Sequence, residues 1–121
     1  MSRIEIPDGP GDPEVRVWAL RPEMGMGAGA LSHAIYDESI VGVRERELAR
    51  MRIAQINGCA ICQQWRKTEG SAEAMTEADY EHVEAWSTYP GYAARDRLAI
   101  EYAERFALDH HNLDDDFWSR M

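Results

Sequence analysis

Cysteine is scarce in this sequence, two in 121 residues, so no multi-disulfide scaffold is available to it. Cations are scarce too: 13 Lys and Arg face 22 Asp and Glu, a formal net charge of −9. That balance argues against a nucleic-acid partner, which needs a cationic footprint, and against an anionic membrane surface. No run is long and apolar enough to span a bilayer. The opening residues, Met1 to Pro10, have no cationic start followed by an apolar stretch, so no secretory signal is legible and the expected setting is cytoplasmic. No segment alternates with a period of two, and no internal repeat is recognisable, which leaves an all-α fold as the expectation.

Hydrophobic residues make up 45 % of the chain, enough for one modest core. Residues 1–12, with two prolines and two glycines, read as an arm, and residues 13–121 as one helical domain of about six to seven helices. Asp12-Pro13-Glu14 is a helix start, with Pro22 ending that helix and opening a second one to about Tyr36. Gly25, Gly27 and Gly29 weaken this second helix or permit close packing. A third runs from about Arg44 to Ile56, with Leu48, Met51 and Ile56 apolar, and stops at Asn57-Gly58. A fourth is expected from Cys59 to about Glu69, and a fifth from a capping box at Thr76 to about Trp86. The sixth, about Ala93 to Asp109, carries Leu98, Tyr102 and Phe106 at four-residue spacing, with Arg97–Glu101 and Glu101–Arg105 as ion pairs on its wet face. Leu113 to Trp118 resembles the acid-rich first turn of a seventh helix, and the chain ends soon after it, which suggests a domain that continues or a turn that packs on a neighbour.

Cys59-Ala60-Ile61-Cys62 is the candidate working group. A spacing of three on a helix puts both sulfurs on one face with Cα atoms about 5 Å apart, within disulfide range. At a helix start, free N–H groups and the dipole lower a thiol's pKa, and the thiolate is the nucleophile in exchange and in attack on peroxides. The bland alternative is two small buried hydrophobes. A zinc site needs more ligands, and the spacing of His110-His111 fits no common zinc module, so neither metal nor cofactor is expected. Trp65 reads as core or subunit interface, and His33, on the second helix, as structural.

The stretch Glu47-Leu48-Ala49-Arg50-Met51-Arg52-Ile53-Ala54-Gln55-Ile56-Asn57-Gly58-Cys59-Ala60-Ile61-Cys62 resembles the core motif of the carboxymuconolactone decarboxylase-like family, and within it the Cys-X-X-Cys-bearing alkylhydroperoxidase D branch. The resemblance is sharp over residues 44–66 and softer from 13 to 118. It implies an all-helical protein that forms homo-oligomers, trimers or hexamers. It also implies a dithiol that reduces peroxides or recycles a disulfide, with a dithiol or protein thiol as reductant. The matching site residues are Glu47, Cys59 and Cys62. The family's relay histidine is replaced by Arg66, which stays protonated and cannot act as a base. Continuous helix would put Arg66 on the face of both cysteines, favouring Cys62 as thiolate, whereas the helix end favours Cys59. Packing of the helices on either side of Asn57-Gly58 would bring Glu47 to Arg66 as an ion pair, a structural alternative to catalytic roles for both. The other functional readings are a lyase acting on a small lactone through Glu47, and a non-catalytic oligomeric helical module.

Overall fold

Proline opens the first two helices of the chain, as its fixed φ and missing N–H allow at a first helical position. A computed structural model describes residues 4–121, so Met1, Ser2 and Arg3 of the expected arm lie outside the described residues. Seven α-helices and one 3-10 turn are present, with no strand among the described residues, and the fold is all-α. The chain divides into two units, one up to Ile40 and one from Val41 to Met121.

In the first unit, residues 4–12 carry no regular element. Helix α1 is Pro13–Trp18 and α2 is Pro22–Asp37, and neither buries a residue. Of the three α2 glycines, Gly25 is the one that a close approach requires. A Cβ there would lie 3.3 Å from that of Trp18, whereas Gly27 and Gly29 have nothing within 4 Å. Val15, Trp18, Met24, Met26 and Leu31 are all more than half exposed, so the apolar residues of these helices form an open surface.

The second unit is built on α3, Val43–Ile56, packed against α6, Ala94–Leu108. Its core joins Leu48 and Met51 of α3 to Ile100 of α6, with Tyr80, Val83 and Tyr92 between them. The buried row of α6 is Asp96, Ile100 and Ala103. The expected Leu98–Tyr102–Phe106 ridge is offset from it, and Phe106 is 58 % exposed. Arg44 of α3 meets the N-terminus of α6 there and bonds both oxygens of Asp96 at 3.1 and 3.2 Å, in line with Asp96 lying on the buried row. Arg97 donates to the carbonyls of Trp86, Ser87 and Tyr89 instead of pairing with Glu101, while Glu101 meets Arg105 at 2.7 Å and Arg120 at 2.7 Å and is largely buried.

Two expected helices are shorter in the structure. Helix α5, Glu77–Glu81, starts at the expected capping box of Thr76 and Asp79 but gives way to turns after His82. Helix α4 is only Ala60–Gln64. Helix α7, Asp115–Ser119, forms where expected, capped by Asp114, whose carboxylate accepts from the Phe117 N–H at 2.9 Å. It follows a 3-10 turn at His110–Asn112. Phe117 is fully buried beside Tyr102, while Trp118 stays half exposed.

Candidate functional site

The end of α3 sets up the dithiol. Gly58, at φ +61°, takes the left-handed conformation that a side chain resists, and turns the chain sharply. The Cys59 N–H then donates back to the Ala54 carbonyl at 2.9 Å, which seats Cys59 as the N-cap of α4. Its sulfur accepts from the Cys62 N–H at 3.3 Å, and its carbonyl accepts from the Gln63 N–H at 3.0 Å. Cys59 and Cys62 are bonded, with an S–S distance of 2.04 Å and Cα atoms 5.3 Å apart, close to the helical expectation. Both are half-buried, and the neighbouring Ile61 and Trp65 are about half exposed, at 50 % and 49 %. Trp65 is therefore not a core residue of this chain.

Beneath the dithiol lies a buried ion pair. Glu47, 1 % exposed, takes both oxygens to Arg50, one turn along α3, at 2.6 and 2.9 Å. Two further donors reach Glu47 Oε1: the Lys67 N–H and the Tyr80 hydroxyl, each at 3.0 Å. Arg50 in turn donates to the Cys62 carbonyl and, at 3.2 Å, to that of Trp65. One guanidinium thus ties the Glu47 carboxylate to the backbone of the second cysteine. A buried carboxylate without such partners would be costly, so the four bonds are what let Glu47 sit here at all.

This arrangement explains the short α4. A longer helix would need the carbonyls of Cys62, Gln63 and Trp65 and the N–H of Lys67 for its own bonds. Arg50 and Arg66 take those carbonyls, Glu47 takes that N–H, and the Trp65 backbone turns extended at ψ 143°. Arg66 therefore does not share a continuous helical face with the cysteines, and its carboxylate partner is not Glu47. It pairs with Glu77 through two bonds of 2.8 and 2.9 Å, and its guanidinium lies 4.2 Å from the centroid of the Tyr80 ring. Both bonds favour charge, so Glu77 is held below the usual carboxylate range by Arg66, and Arg66 is raised above its own range, chiefly by Glu77. Because Glu77 is largely exposed, this pair contributes little stability.

Tyr80 stands at the centre of the site, and nothing local in the sequence signals it. It is 33 positions from Glu47, and its ring, 4 % exposed, packs in the core while its hydroxyl bridges Glu47 and, at 3.2 Å, Thr68. Burial foremost raises its phenol above the ordinary value and the Glu47 charge adds to this, while Thr68 and Arg66 oppose it. Arg50 was legible only as a residue three beyond Glu47 on one helix. Cavities of about 290 and 170 Å³ flank Tyr80, and Arg66 and Tyr80 line both.

Elsewhere, His33 is exposed and pairs with Asp37 at 2.6 Å. The rings of His110 and His111 lie tilted to each other in the 3-10 turn, with centroids 4.2 Å apart. No group of three His, Cys, Asp or Glu residues fit to hold a metal occurs among the described residues, and among them no helix is long and apolar enough to cross a membrane.

Comparison with known proteins places the sequence. The model of the carboxymuconolactone decarboxylase family matches residues 22–105. The chain is 28 % identical over 71 residues to an uncharacterized protein, YdfG, of Bacillus subtilis (strain 168), a match covering 59 % of this chain. The match spans 48 % of that relative's length. No solved structure matches.

Proposed function

The chain belongs to the carboxymuconolactone decarboxylase family, and from that premise we propose that it is a dithiol oxidoreductase of the alkylhydroperoxidase kind. It reduces peroxides, or recycles a protein or small-molecule disulfide, through Cys59 and Cys62. The observation that carries this reading is the bonded pair at the start of α4, tied by Arg50 to a buried carboxylate.

The Cys62 N–H that meets the Cys59 sulfur in the closed disulfide would stabilise a thiolate there on reduction, which supports Cys59 as the attacking group. The spacing argument for Cys62 lapses with the end of α4 at Gln64. The Cys59 thiolate attacks one peroxide oxygen. An S–O bond forms, the O–O bond breaks, and the departing alkoxide takes a proton. Cys62 then attacks the sulfenic sulfur, water leaves, and the S–S bond closes. A dithiol or protein thiol returns two electrons and two protons by exchange. Glu47 is the group suited to carry the protons of these steps. Arg66, paired with Glu77, braces the backbone after α4 and covers the Tyr80 ring.

The test is thiol counting and mass spectrometry on protein reduced and then given a mild peroxide pulse. A loss of two hydrogens within the peptide holding both cysteines supports the reading, with turnover abolished in Cys59→Ser. Thiols that stay free, or bridges only between chains, would overturn it. A lactone lyase working through Glu47 alone would survive both cysteine replacements.

A further inference from the structure

We propose that Tyr80 is the residue that lets Glu47 take up and release a proton, by turning its hydroxyl from donor to acceptor, and so a positioning residue for the dithiol chemistry; this rests on the dithiol reading above. The groups facing Glu47 come from three places. Arg50 lies on α3 itself. The segment after α4 contributes the Lys67 N–H and the charge of Arg66, which Glu77 of α5 pairs. Helix α5 also contributes Tyr80. Guanidinium and amide N–H groups are donors only. They suit a carboxylate and offer nothing to a carboxylic acid, whose new O–H needs an acceptor. Of the partners bonded to Glu47, the Tyr80 hydroxyl alone can turn from donor to acceptor.

The bonding beyond Tyr80 permits that turn. The Met75 N–H donates to Thr68 Oγ1 at 3.0 Å, and the Thr68 and Tyr80 hydroxyls lie 3.2 Å apart, where either oxygen can be the donor. Two polarities of one chain result. With Glu47 ionised, Thr68 donates to Tyr80 and Tyr80 to Glu47. With Glu47 protonated, its O–H donates to Tyr80, Tyr80 donates to Thr68 Oγ1, and the Thr68 O–H turns away without an acceptor, a loss that favours return to the first polarity. When the proton of a cysteine thiol reaches Glu47, a thiolate and a neutral carboxyl result and the chain reverses. When the proton passes on to the departing oxygen or sulfur, the carboxylate and the first polarity return. No electrons move in this step. Tyr80 keeps its own proton throughout, consistent with burial raising its phenol. The family's relay position, filled here by Arg66, has no such freedom.

Infrared difference spectroscopy between acid and neutral pH reads the proton directly, with the Glu47 carboxyl C=O band assigned by its loss in Glu47→Gln. In Tyr80→Phe the band is expected to move to the higher frequency of a carboxyl without that acceptor. Stopped-flow measurement of disulfide closure after a peroxide pulse reads the consequence. Tyr80→Phe is expected to slow closure about tenfold and to change its pH profile in shape. Thr68→Val, which blocks the reversal and leaves Tyr80 in place, should reproduce much of this, and Thr68→Ser should restore it. An unmoved carboxyl band in both Tyr80→Phe and Thr68→Val would overturn the assignment, as would a rate profile that merely scales down in parallel with the wild type. Failure of the dithiol reading shows separately, as turnover that survives Cys59→Ser, and leaves the infrared result interpretable.

Discussion

At the residue scale, the site turns on which donor each carboxylate receives. Glu47 is satisfied by Arg50, Lys67 N–H and Tyr80, while Arg66 is claimed by Glu77. Restoring a titratable ring by Arg66→His would remove the bidentate bond to Glu77 and the bonds to the Gln63 and Trp65 carbonyls. The expected outcome is a looser segment after α4 and no gain in peroxide turnover. Parallel assays of peroxide reduction and dithiol exchange on wild type and variant check this. A selective gain with peroxide would show that the relay position still works when refilled.

At the element scale, a buried ion pair decides where α4 ends. Arg50→Ala leaves Glu47 buried without its charged partner and releases the Cys62 carbonyl. Breaking a buried pair in this way typically costs about 3–5 kcal/mol, so a large fall in the urea midpoint is expected, with Arg50→Lys intermediate because a point charge cannot reproduce the fork. Helix α5 offers a milder case. Thr76→Ala removes the side-chain half of the capping box, which accepts from the Asp79 N–H at 3.2 Å, and about 1 kcal/mol of stability should go with it. Equilibrium denaturation of both variants measures the contrast. Two similar values would mean that Arg50 is not the organiser described here.

At the scale of the whole molecule, acid sensitivity and association follow from two different surfaces. Asp79 is mostly buried, which works against its charge, yet bonds from Arg44 and Thr76 hold its carboxyl below the ordinary value of 3.8. A carboxyl lowered on folding stabilises the native state above its unfolded pKa, and that contribution fades as pH falls through the folded value. Stability should therefore decline below about pH 4, and Asp79→Asn should flatten that limb at the expense of stability at neutral pH, as melting curves across pH would show. The exposed apolar residues of α1 and α2 lead us to propose a homo-oligomer, for which the family resemblance implies a trimer or hexamer. Light scattering at micromolar concentration should give a multiple of 13.8 kDa, and a monomeric mass would count against it.

Local chemistry was legible in the sequence by itself: the prolines that open α1 and α2, the Asn57-Gly58 stop, the Thr76 capping box, the long α6, and the pair of cysteines at bonding distance. Each depends on residues within a few positions of one another, which backbone conformation links directly. What only the tertiary structure decided depends on residues far apart. The sequence, read by helical periodicity, carried α4 on to Glu69 and put Arg66 beside the cysteines. The structure ends α4 at Gln64, because Glu47 and Arg50 bond the backbone polar groups that a longer helix would use. Tyr80 reached the site from another helix, and its partner Glu47 found Arg50 rather than Arg66, because a buried carboxylate takes the donors that folding brings within 3 Å, and periodicity along one segment says nothing about which those are.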